Sequence, residues 1–131
     1  MPNHILLLVR IGKKQDLPKL SQGIFQSYRF YYKRKYAYVG YLYQGKYRSN
    51  IIEKESYLLE CARYIERNPL RAGIVADLAH YKWSSYNYYA YNQRNEMITE
   101  NLLYSTLGCD NIKRQEIYRE YVVTARPYEA I

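Results

Sequence analysis

The chain has 131 residues and a mass of 15.8 kDa, enough for one domain with a buried core and, at most, a small appendage. Twenty Lys and Arg against twelve Asp and Glu leave a net charge of +8, which favours a polyanionic partner. The one long apolar run, Ile5 to Val9, is too short to span a bilayer and follows no cleavable signal, and Cys61 and Cys109 lack metal-ligand spacing. A membrane protein, a disulfide framework and a zinc site are disfavoured, and a cytoplasmic protein with reduced thiols is expected.

Asn3 to Arg10 is apolar at consecutive positions and reads as a strand buried on both faces. Such a strand needs neighbours from later in the chain, from a partner subunit or from sequence outside it. Gly12 to Gln15 is a turn, and Asp16 followed by Pro18 opens a helix whose Leu17, Leu20, Ile24, Tyr28 and Tyr31 recur at helical spacing. Its far end, Arg29 to Lys35, is strongly basic, which suits the helix dipole and makes a phosphate-binding rim. Tyr38 to Ile52 is predicted as a loop leading into a strand over 47–52 that could pair with the first.

Glu55 to Pro69 is predicted as a helix, with Ser56 able to cap its start and Pro69 closing its end. Steps of about 100° per residue place Leu58, Ala62 and Ile65 on an apolar side and Glu60, Arg63 and Arg67 on a wet side. Tyr57, Cys61, Tyr64 and Asn68 fall between the two. Tyr64 and Asn68, one turn apart, can meet the same small object, or can be boundary residues that pack and cap.

Pro69 to Val75 reads as a short turn of helix closed by Gly73, and Asp77 to Trp83 as a loop anchored in the core by Trp83. Ser84 or Ser85 can cap the short helix that begins at Trp83-Ser84-Ser85-Tyr86. His80 reads as a loop or surface residue. Residues 91–98 are polar loop, Thr99-Glu100 caps a helix over Asn101 to Leu107, and Gly108 stops it. A last helix over Asn111 to Thr124 points Ile112, Ile117, Tyr121 and Val122 inward, with a frayed tail from Arg126.

Nineteen tyrosines against two phenylalanines admit two explanations: rings that stack on unpaired bases, or rings that fill core positions where Phe or Leu would otherwise stand. The basic residues Lys33, Arg34, Lys35, Lys46 and Arg48 are the best candidates for phosphate contacts.

Four blocks in order, covering roughly residues 1–90, carry a resemblance. They are Met-Pro-Asn-His-Ile-Leu-Leu-Leu-Val at the start, Gly40 to Ser49, Tyr57 to Gly73 including Tyr64-Ile-Glu-Arg-Asn68-Pro69, and Trp83-Ser-Ser-Tyr86. Together they resemble the REP-associated tyrosine transposases of the HUH single-strand superfamily. The resemblance implies an α+β fold, an antiparallel sheet carrying helices in the ferredoxin-like manner, over 1–90, and the C-terminal helices within 91–131 read as an appendage to it. It also implies a basic surface for single-stranded, hairpin-flanked DNA and strand cleavage by a tyrosine nucleophile with Mg²⁺ or Mn²⁺. Tyr64 matches the nucleophile, which would form a 5′-phosphotyrosine linkage. His4 and Asn68 match metal ligands.

In that family the first strand carries two histidines one residue apart, and position 6 here is Leu6. Little or no cleavage is therefore expected, and a non-catalytic DNA-binding module derived from such an enzyme is the alternative. Family members also carry a strand and a helix before the Pro-Asn-His segment, so an internal start or a sheet completed by a second copy, as a homodimer, is expected.

Overall fold

Four α-helices and two short 3-10 helices make up the regular structure of residues 3–126, the part of the chain that the computed structural model describes. They are α1 (Asp16–Tyr36), α2 (Glu55–Arg71), a 3-10 turn (Leu78–His80), α3 (Tyr86–Tyr91), a second 3-10 turn (Tyr104–Leu107) and α4 (Asn111–Val123). Among the described residues there is no strand, which overturns the expected α+β fold with an antiparallel sheet. Residues 3–10 and 47–52, read as strands, form no ladder, and Ile5, Leu6, Leu7, Leu8 and Val9 all stay exposed. An apolar run becomes a strand only when another backbone accepts and donates along it. Neither segment finds one, and the strand edge invoked for pairing with a second copy is not formed.

Two compact units divide the chain: residues 3–8 with 52–126, and Val9–Ile51. The first owns the core. Leu78, Tyr86, Tyr89, Ala90, Tyr104, Tyr118 and Val122 are buried together, so α3, α4 and both 3-10 turns supply it. The Tyr89, Tyr104 and Tyr118 rings meet with centroids 5.0–5.6 Å apart, each pair adding about 0.5–1.5 kcal/mol beyond area burial. Their hydroxyls are satisfied: Tyr104 donates to the Tyr89 carbonyl (2.7 Å), Tyr118 to Glu66 Oε2 (2.9 Å), and Tyr89 accepts from the Asn101 amide (2.9 Å). In α4 the buried positions are Tyr118 and Val122, while Ile112, expected inward, is exposed.

The helix α2 buries a different side from the one its apolar residues predict. Ala62, Arg63, Glu66, Arg67 and Pro69 are buried, whereas Leu58 and Ile65 are half-buried. The reason lies at the C-terminus of α4, whose last carbonyls have no intrahelical donor. Arg63 donates through Nε to the Tyr121 carbonyl (2.9 Å) and through its second terminal nitrogen to the Thr124 carbonyl. Arg67 donates to the carbonyls of Val122 (2.8 Å) and Val123. Two guanidinium groups thus close the end of a neighbouring helix, with the charge sign the dipole favours. Tyr121 and Arg126 reach back to Glu60 Oε1, each at 2.8 Å.

Pro69 does not end α2. It sits in the last turn; the helix runs on to Arg71 and is closed by Gly73, which adopts φ +65°, where glycine alone among residues carries no Cβ penalty. The Ile74 amide returns to the Pro69 carbonyl (2.9 Å) and the Gly73 amide to Leu70 (3.0 Å), a Schellman closure. Ser56 caps nothing, since α2 begins at Glu55 with Lys54 as its N-cap. Trp83, expected as a core anchor, is 76% exposed with Lys82 Nζ 4.9 Å from its ring. Ser85 precedes α3 but donates to Glu66 Oε1 (2.6 Å) instead of capping, and Ser84 Oγ accepts from the Tyr86 amide (3.3 Å). The expected helix over Asn101 to Leu107 shortens to the 3-10 turn at Tyr104–Leu107. The tail expected to fray lies, beyond Arg126, outside the described residues.

Candidate nucleic-acid interface

Charge is divided unequally along the chain. Val9–Ile51 holds ten Lys and Arg against one carboxylate, Asp16, for a net +9, while the remainder holds ten basic against eleven acidic side chains. The same segment carries eight of the nineteen tyrosines and both phenylalanines. None of its residues is buried. Cations interleaved with accessible rings are what a single strand needs, since phosphates take the charge and unpaired bases take the ring faces.

The helix α1 organises most of this surface. Asp16 Oδ2 accepts from the Lys13 amide (3.0 Å) and holds the turn that precedes the helix. Spacing of four residues then lines up Tyr28, Tyr32 and Tyr36, whose successive centroids are 6.0 and 4.6 Å apart, and Tyr38 adds an edge contact to Tyr32 at 5.6 Å. Lys33, Arg34 and Lys35 fill the last turn, where α1 ends on Ala37 in the left-handed region. Lys35 Nζ donates to the Tyr31 hydroxyl (2.8 Å) and lies 5.3 and 5.4 Å from the Tyr31 and Tyr36 rings. Hydrogen bonding to Tyr31 holds its ammonium above the ordinary lysine range. Phe30 (72% exposed), Tyr31 and Tyr36 present their rings outward.

Lys46 and Arg48 lie in the irregular segment after α1, both exposed. Beside them Lys14, Gln15, Leu17, Pro18, Tyr47 and Ser49 line an open pocket of about 480 Å³, which joins a cation and a ring within this unit. Phe25 packs on Tyr43 with ring centroids 4.7 Å apart, and both are half-buried.

Tyr64 and Asn68 are one turn apart on α2 and both off its buried side, as their spacing predicts. The Tyr64 ring is 51% exposed, with the Arg71 guanidinium 5.9 Å from its centroid. Asn68 Nδ2 is buried without a hydrogen-bond partner, the kind of group that awaits an acceptor. His4 stands in an exposed non-strand segment, its Nδ1 2.8 Å from Asn3 Oδ1. The alternation that would aim His4 from a strand face is lost with the strand. One imidazole and one carboxamide make a poor donor set for Mg²⁺ or Mn²⁺, which favour carboxylate oxygens. Among the described residues no three His, Cys, Asp or Glu side chains gather into a possible metal site.

Comparison with protein-family models, with curated proteins and with solved structures gives no match to this chain. Among the described residues no helix is long and apolar enough to cross a membrane. Reading by residue type singled out the cations Lys33, Arg34, Lys35, Lys46 and Arg48 but not the tyrosine row beside three of them. The i, i+4 spacing of Tyr28, Tyr32 and Tyr36 was the available signal.

Proposed function

We propose that this protein binds single-stranded DNA through the Val9–Ile51 segment, as a cytoplasmic DNA-binding module related to the REP-associated tyrosine transposases. The observation that carries the reading is a net +9 on 43 residues that also expose seven of their ten tyrosine and phenylalanine rings. Lys33, Arg34, Lys35, Lys46 and Arg48 contact phosphates. Tyr31, Tyr36 and Phe30 offer faces to bases, and the resemblance adds a hairpin beside the single strand.

Fluorescence anisotropy with a labelled oligothymidylate over a salt series tests it. Five phosphate contacts predict a slope of log K against log salt of about −3.5, at roughly −0.7 per contact on a single strand. A flat salt response, or tighter binding to a duplex of the same length, overturns the reading.

Cleavage by Tyr64 is the second reading, favoured by its exposure and by the unpartnered Asn68 amide one turn away. The phenolic oxygen would bond to phosphorus as the P–O3′ bond breaks, with the phenol proton passing to the departing 3′ oxygen. A covalent protein–DNA band with a hairpin oligonucleotide and Mn²⁺, absent in Tyr64→Phe, supports it; no band in the parent protein rejects it.

A further inference from the structure

We infer that α1 is completed by its ligand: the Val9–Ile51 segment takes up its helix when single-stranded DNA covers it. This rests on the DNA-binding reading and adds a conformational step to it. A chain segment keeps one conformation when buried apolar surface offsets the entropy of ordering it. Here no residue from Val9 to Ile51 is buried, and Leu20, Ile24, Tyr28 and Tyr31 on the face expected to pack are all exposed.

Local terms pull both ways: the Tyr28, Tyr32 and Tyr36 ring contacts and the Lys35–Tyr31 hydrogen bond support α1, and other local features oppose it. No side chain caps α1, whose N-cap is Gln15, and Gly23 stands in its interior with open space where a Cβ would be. Arg29 and Lys33 are like charges one turn apart, followed by Arg34 and Lys35, with the segment's one carboxylate, Asp16, at the opposite end of the helix, more than three turns away. A polyanion removes that repulsion and brings bases to the exposed rings. The charge complement of a +9 surface is therefore also what is missing from its stability.

Hydrogen exchange on the full chain, with and without oligothymidylate at low salt, reads the step directly. Amides of α1 are expected to exchange freely in the unbound protein and to slow by about tenfold or more on binding, while α2 and α4 stay protected throughout. Protection of α1 that is already complete without DNA overturns the inference and leaves the binding reading intact. Absence of any binding removes both. Protection on anionic phospholipid vesicles with none on oligothymidylate also removes both, since the ligand class would be wrong.

Gly23→Ala supplies a second readout, because the added methyl meets nothing and only favours the helix. It is expected to tighten binding about two- to fivefold by pre-forming α1. Unchanged affinity in that variant overturns the coupling.

Discussion

Tyrosine serves two purposes in this chain, and the difference separates its two units. In the unit of residues 3–8 and 52–126, Tyr86, Tyr89, Tyr104 and Tyr118 are interior residues around an almost neutral charge balance. Desolvation there pushes the Tyr86 and Tyr89 phenols up to about 12. In Val9–Ile51 the same side chain lies open beside cations, as Tyr31 and Tyr36 do beside Lys35. A ring is a core residue where its hydroxyl finds a fixed acceptor, and a recognition surface where it does not have to be hidden.

Truncation should expose this contrast most strongly. Tyr118→Ala is expected to cost about 3–5 kcal/mol in denaturant unfolding, since it opens a cavity and strips a donor from Glu66. Phe30→Ala in the other unit should stay within about 0.5 kcal/mol. Equal losses at the two positions would erase the distinction.

The next largest effect belongs to Glu66. Burial lifts its carboxyl from 4.5 to about 7, against hydrogen bonds from Ser85 and Tyr118 that favour the anion. The folded value lies above the unfolded one, so the native state holds the proton more tightly. Its contribution to stability is complete below pH 4.5 and is lost as pH rises through 7. The loss amounts to about 3 kcal/mol. Urea unfolding at pH 5 and pH 8 should show it in the parent protein and not in Glu66→Gln. A parent protein equally stable at both would contradict the burial of that carboxyl.

Arg67→Met should cost about 2 kcal/mol, because the Val122 and Val123 carbonyls lose their donor in a buried setting. Thermal melting would report it, with no change in oligonucleotide affinity. Smallest in stability is the joint replacement of Lys33, Arg34 and Lys35 by Ser, near zero in melting temperature. Its effect falls on binding, where the salt slope should shrink by about 2. A large melting change with an unaltered slope would mean these cations hold the fold.

Much of the helical content could be read directly. The spans of α1 and α4 and the closing role of Gly73 follow from apolar spacing and turn chemistry. The side of α2 that is buried could not be read, because residue type assigns Arg63 and Arg67 to water. Only the placement of the α4 C-terminus supplies acceptors that make their burial favourable. Ile112, as an apolar helix position, and Trp83, as a loop anchor, were expected inside, yet both are exposed and Tyr118 and Tyr86 are buried. At the candidate site, Tyr64 and Asn68 share a side because a single helix spaces them. His4 depended on a strand and lost its stated facing when the strand did not form.

The residue order was enough to set the charge of Val9–Ile51, the accessible tyrosine spacing and the helical segments, because these depend on covalent order and on contacts within a few residues. Tertiary structure alone decided which tyrosines are core, which arginines are buried and whether the opening apolar run pairs. Each of those outcomes turns on a partner far away in the chain, and a partner's position is not a local property.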